Sequence, residues 1–462
     1  MGANAAIETS AELLNALLDI KAQRPGNTLD GLTDSEIQRT FQRVQDKRFD
    51  RASKVVSGSH DLQALLSWEN PFFSMLVLHI LIPLSGIHSF YRSAAQRFKG
   101  ATRLKYLPLP TRPRKIPYDH ELPARPASDR LGYFIRALCL LAVGSLVYFA
   151  NKGLRMETMN WRFLADSWSN ISRGFTGNTL TPKFYSLYQL ASMLSPLLIS
   201  VVESYRMGRS RTFLSISYLL PICMLFQGVG RATLSYALLA VLHSSQMTVD
   251  RPLPIEVARS LLSALVAGFL VPAASLLFAA QRVNITEKVI LTLLFLFPFI
   301  TALITTVSQR MQPPKSQKDI DRYDEWYTSD DIPFLKRSYN LVFAIQTVAH
   351  VALLVHTVHE TGNFSLWSLA MPFDRLFEVI SVQWKGLAVL SDEMLWMRVG
   401  ALSHSLYMIM ELRQQGYINT ASALKAAVAT VLRQIFVGPG ASWVSVYRWR
   451  EDVILNLSSP RS

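Results

Sequence analysis

Charge is scarce in this sequence. Only 17% of its 462 residues are Asp, Glu, Lys or Arg, where a soluble chain carries about 25%. Cysteine is scarcer still. Cys139 and Cys223 are the only two, which excludes a disulfide scaffold, and both fall in apolar runs where a thiol packs as a small hydrophobe. Neither a Walker loop nor a Gly-X-Ser-X-Gly nucleophile elbow occurs. No early apolar run of signal-peptide type is found, so the first spanning segment is expected to direct insertion itself, without cleavage. What abounds is apolar: half of the residues are hydrophobic, with 24 Phe, 16 Tyr and 9 Trp, and the mean hydropathy is +0.20. These figures exclude disorder, collagen and coiled coil. They predict an all-α, polytopic integral membrane bundle.

The net charge of +14 does not indicate nucleic-acid binding. The basic residues sit in short loops between apolar segments, as positive-inside topology requires, and no nucleic-acid-binding module is visible. The organisation expected is a soluble, amphipathic helical region over 1–66, a membrane bundle over 67–455 and a short tail over 456–462. In the first region Ser10-AELLNALLDI has an amphipathic helical pattern. Thr33 and Glu36 are spaced as a capping box that opens a second helix. Such helices can rest on a membrane surface or pack beneath a bundle.

The first span expected is 71–91, long enough to cross about 30 Å of hydrocarbon. Further spans are predicted at 131–150, 184–203, 212–227 with a break at Gly228-Val229-Gly230-Arg231 and a shorter return to 243, then 255–280, 289–307 and 339–356. Beyond 365 the apolar runs 376–390, 394–412 and 421–446 are interrupted, giving eight to ten spans in all. The basic loops Arg92–Arg130 and Arg206–Arg211 are assigned to the cytosol. The three sequons at Asn170, Asn284 and Asn363 then fall on the opposite, lumenal side, where glycosylation occurs. The N-terminus lies outside the cytosol on this topology. No clear repeat or inverted symmetry shows itself, which weakens a transporter reading.

Ionisable groups at membrane depth are functional candidates. Glu203 ends the third span, Asp392 and Glu393 interrupt an apolar stretch, and Glu69 lies at the mouth of the first span. Glu256 and Arg259 are one turn apart, a spacing that suits an ion pair, and Glu411 closes another apolar run. A carboxyl group buried among apolar side chains stays protonated near neutral pH and can then protonate an epoxide or an olefin. The resulting carbocation needs ring faces around it. Trp384, Trp396, Tyr188 and Tyr407, with Tyr185 and Trp443, are the candidates to line such a pocket. The plainer alternatives are solvated carboxylates at span ends and an aromatic belt at the interface. His350, His356 and His359 fall at the end of one span without the further ligands that a metal or haem site wants. Asp319, Asp321, Asp324 and Glu325 superficially match Mg²⁺–diphosphate motifs but sit among basic residues, as in an ordinary solvated loop. No metal and no cofactor are expected.

The C-terminal third carries a resemblance. Ser381-Val-Gln383-Trp384-Lys385, Met394-Leu-Trp396, Val437-Gly438-Pro439-Gly440-Ala441 and Tyr447-Arg-Trp449-Arg450-Glu451 resemble polytopic membrane proteins of fungal secondary-metabolite clusters. In size and span count these look most like the membrane-bound terpene cyclases of the ascofuranone-pathway type. The resemblance implies metal-independent cyclisation of a prenyl chain, often epoxidised, on a lipophilic terpenoid or meroterpenoid substrate in the endoplasmic reticulum or a related endomembrane. An Asp commonly follows the Gln–aromatic pair in that pattern, and Lys385 stands there instead. Asp392, seven residues on and on roughly the same helix face, is the replacement acid, ahead of Glu393, Glu203 and Glu69. Two other readings stay open: a transporter or efflux protein for a pathway product, and a membrane acyltransferase with His350 or His404 as base.

Overall fold

A computed structural model describes residues 2–24, 26, 28–81, 122–127, 129–152, 187–206, 213–243, 252–279, 330–361 and 393–458, with isolated positions between them. Every regular element among the described residues is helical. The chain divides into two compact units, 1–122 and 123–462.

In the first unit, α1 (Gly2–Gln23) packs against α2 (Asp34–Leu66). The expected capping box forms. The Thr33 hydroxyl accepts from the Glu36 N–H, and Glu36 Oε2 accepts from the Thr33 N–H at 2.9 Å. Across the helix pair, Glu8 accepts from Arg48 at 2.7 Å and Arg51 at 2.6 Å, and Glu12 from Lys47 at 2.7 Å. Burial opposes ionisation of Glu8, but Arg51 and Arg48 outweigh it and hold the carboxyl below its usual range. Asn70 caps α3 (Pro71–Met75), which passes into a π-helical turn, Leu76–Leu81. The rest of the first expected span, 82–91, lies outside the described residues.

The capping box makes a pH prediction. The Thr33 N–H, then the Thr33 hydroxyl and Arg24, hold the Glu36 carboxyl at about 2 against an ordinary 4.5. A depressed folded-state value stabilises the helix start above 4.5 and ceases to do so as pH falls through 2. Amide exchange over 33–37 is expected to accelerate across that window beyond the intrinsic effect of pH. Glu36→Gln should show no such step; an identical step in that variant would remove the box as its origin.

Among its described residues the second unit contains four helices long and apolar enough to cross a membrane: Leu131–Asn151, Leu187–Tyr205, Ile255–Ser275 and Ile332–His356. All four lie where the sequence expected spans. Leu131–Asn151 belongs to α4 (Asp129–Asn151), whose Leu131, Phe134, Leu138, Leu141 and Phe149 point outward, as lipid-facing side chains do. The span from Leu187 ends in α5 (Leu194–Tyr205), nearly all of it buried. Gly228, at φ +82°, separates α6 (Leu219–Gln227) from α7 (Val229–His243), at the expected break. The next span is α8 (Ile255–Leu265), a π-helical turn Val266–Leu270, and α9 (Val271–Ala279). The wide turn ends two residues before Pro272, whose ring has no N–H and would crowd a regular α-turn. A long α10 (Ile332–Thr361) follows. Most of 289–307, all of 376–390 and the acidic loop 319–325 lie outside the described residues.

The C-terminal run 421–446, read from sequence as interrupted, is broken at Gly438, φ +93°, into α12 (Thr420–Phe436) and α13 (Pro439–Ser458). Before them lies α11 (Glu393–Gln414). The core joins α5, α8, α10, α11 and α13 through Leu198, Val202, Leu261, Leu335, Met397, Ala401, Trp443 and Tyr447. The backbones of α7 and α11 approach so closely that a Cβ at Gly400 would lie 2.8 Å from the Leu234 nitrogen, the packing that small residues permit between membrane helices.

Candidate active site in the C-terminal helices

Three groups of buried polar and aromatic side chains occupy the core around α13. The first is ionic. Arg206, just past α5, donates from Nε to Glu203 Oε1 at 2.8 Å and from Nη2 to Glu451 Oε1 at 2.6 Å. Arg450 adds contacts to Glu451 at 3.4 Å and Glu203 at 3.6 Å. All four side chains are at most 5% exposed, and their formal charges cancel. Tyr339 of α10 lies beside them, its ring 6.2 Å from that of Tyr447. Lys336 pairs with Asp452 nearby. Glu203 is thus an acceptor within a salt-bridge network, and an ionised carboxylate only accepts. Arg206, assigned from sequence to a loop, is a buried member of this network.

The second group is aromatic. The His404 ring lies among three others in edge-on contact: Trp443 at 5.4 Å, Tyr236 at 5.8 Å and Tyr447 at 5.9 Å. Trp443 also meets Tyr236 at 6.5 Å. The Arg450 guanidinium, 6.0 Å from the Tyr447 ring, joins this cluster to the ionic one. The i,i+4 spacing of Trp443 and Tyr447 puts them on one face of α13. That spacing was a readable signal, but the place of His404 between them was not.

The third group surrounds His350 and Gln346, one turn apart on α10. Nε2 of His350 faces the Ile435 carbonyl at 3.0 Å and Nδ1 faces the Tyr188 hydroxyl at 3.2 Å. Those partners assign the proton to Nε2. The Arg398 guanidinium of α11 lies near the Tyr188 hydroxyl. Gln346 donates to the Ala191 carbonyl at 2.9 Å and Ser195 Oγ at 3.1 Å. The Val437–Ala441 turn closes over both: a Cβ at Gly438 would lie 2.9 Å from His350, and one at Gly440 2.6 Å from Gln346 and Ser195. Both glycines are steric requirements of the site.

The remaining candidates are dispersed. Trp396 is buried in a separate cluster with Val143, Ala150, Leu234 and Ala237. Tyr407 is buried on α11, Tyr188 beside His350, and Glu69 is exposed in the first unit. Buried positions distinguish Trp396, Tyr407 and Trp443 from an interfacial aromatic belt. Arg259 lies over the Phe334 ring at 5.6 Å, while Glu256 is buried. Glu393 begins α11. Asp392, Trp384, Tyr185, Asn170, Asn284 and Asn363 lie outside the described residues. No group of three or more His, Cys, Asp or Glu that can hold a metal ion occurs among the described residues.

Residues 174–455, which contain all three groups, match the CtvD domain. The chain belongs to the CtvD-domain family. Two curated relatives of this CtvD-domain protein extend its comparison over almost the whole chain. The FAD-dependent monooxygenase atnA of Arthrinium sp is 21% identical over 99% of this chain and 56% of its own length. The FAD-dependent monooxygenase verC1 of Penicillium polonicum is 23% identical over 98% of this chain and 58% of its own length. The chain therefore spans little more than half the length of these relatives. No solved structure matches it.

Proposed function

We propose that this CtvD-domain protein is an integral membrane cyclase of fungal secondary metabolism that closes rings on an epoxidised prenyl chain. The observation that carries the reading is the water-excluded cluster of His404, Trp443, Tyr236 and Tyr447, an interior suited to a transient cation. Its relatives are named as monooxygenases, which supports an oxygenated substrate. No glycine-rich turn following a strand, one common seat of dinucleotide phosphates, occurs among the described elements, all of which are helical. The oxygenase name therefore suits the part of the relatives beyond this chain, and the shared part acts on the oxygenated product.

A carboxylic acid donates a proton to the epoxide oxygen and a C–O bond breaks. An olefinic electron pair attacks the cationic carbon, and loss of a C–H proton restores neutrality. Asp392 is the first candidate donor and Glu393 the second. Glu203, held by two guanidinium groups, accepts rather than donates. Glu69 is the last candidate.

Microsomes containing the full chain, given an epoxyprenyl aromatic compound without metal or flavin, should yield a new product of unchanged mass. Asp392→Asn should slow its formation by about 10²–10⁴-fold, the usual contribution of a general acid. A product heavier by an acyl group indicates an acyltransferase. Vesicle uptake without conversion indicates a transporter. Either result overturns the cyclase reading.

A further inference from the structure

Buried backbone and side-chain polar groups in native proteins find partners, so a place where several have none in the chain marks a binding site. One lies at the start of α13. Pro439 has no N–H, and Ser442 is the first residue to bond backward, to the Gly438 carbonyl at 3.0 Å. Gly440 and Ala441 therefore hold buried N–H groups with no intrahelical acceptor. Opposite them, Gln346 is 4% exposed and its Oε1 has no hydrogen-bond partner among the described residues. The bonds from its Nε2 fix which end of the amide is oxygen. Gln346, Gly440 and Ala441 line one small cavity with Tyr188. Its volume is about 10 Å³, on the scale where one water needs roughly 10–15 Å³.

The donors and the acceptor together select the ligand. Two N–H groups at a helix N-terminus want an electron-rich atom, which disfavours an ammonium group. Gln346 Oε1 wants a proton donor, which disfavours a carboxylate or phosphate that only accepts. An O–H group satisfies both demands. We propose that the niche between Gln346 and the Gly440–Ala441 N–H groups binds one O–H oxygen, of water or of the hydroxyl terminus of a lipophilic ligand. Gly440 keeps it open, because a Cβ there would press on Gln346 and Ser195.

The test pairs two ligands with the full chain in nanodiscs, farnesol and farnesyl methyl ether, which differ in the O–H proton. Tryptophan fluorescence should report at least about tenfold tighter binding of the alcohol, as expected where a buried acceptor loses its donor. Gly440→Ala and Gln346→Leu should bring the two ligands to parity. Equal binding by the native chain, with an ordered oxygen between Gln346 Oε1 and the Gly440 nitrogen in a high-resolution map, assigns the niche to water. Equal binding with no such oxygen overturns the proposal. The prenyl probes rest on the cyclase reading but the ordered oxygen does not, so failure of one is distinguishable from failure of the other. The native comparison stands even where a variant fails to fold.

Discussion

Glu451→Ala is expected to lower the stability of the second unit by about 3–5 kcal/mol, the cost of leaving a buried charge without its partner. Glu451 is fully buried and receives Arg206 at 2.6 Å and Arg450 at 3.4 Å. Its removal takes one carboxylate partner away from both guanidinium groups. Native domains are stable by only about 5–15 kcal/mol, so this is a large share of the total and the variant's monodisperse yield in detergent should fall. The thermal midpoint of the remainder should fall. An unchanged midpoint would show that the network contributes nothing to the fold.

The same argument predicts a rescue. Replacing Arg206 and Glu451 together by Met and Leu removes one charge of each sign. The remaining Arg450 and Glu203 are already 3.6 Å apart. Hydrophobic replacement of a buried pair is often neutral or stabilising, so the double variant should recover most of the midpoint lost by Glu451→Ala.

That network marks the limit of what the sequence discloses. Local signals were legible where the cause is local: the Thr33–Glu36 box, the break at Gly228, and four long apolar helices. Gly438 parts α12 from α13 by a positive φ that apolar run length does not encode. Arg206 looked like a topology-setting loop cation because its partner Glu451 lies 245 residues away. Glu203 was legible as a buried carboxylate three residues from Arg206, but Arg450, brought in from α13, was not. His404 stood in an apolar stretch without a distinguishing neighbour. Its position depends on the crossing of α7, α11 and α13, which bring Tyr236, Trp443 and Tyr447 around it. Long-range pairing of this kind is set by packing, not by periodicity.

Trp443 is where packing and the proposed chemistry can be separated. It is fully buried between His404 and Tyr236, and Trp443→Ala should cost about 3–5 kcal/mol through the cavity it leaves. That loss would reduce activity whatever the ring does. Trp443→Phe and Trp443→Leu are the informative pair. The indole N–H has no hydrogen-bond partner among the described residues, so either substitution also removes an unsatisfied buried donor, a relief of about 1–3 kcal/mol that offsets part of the lost packing. Both variants should therefore keep more stability than the alanine variant. If a ring face stabilises a cation, turnover should fall in the order Trp, Phe, Leu while the thermal midpoints of Phe and Leu stay close. A Leu variant that turns over like the Phe variant would assign Trp443 to packing alone and move the cation site elsewhere in the core.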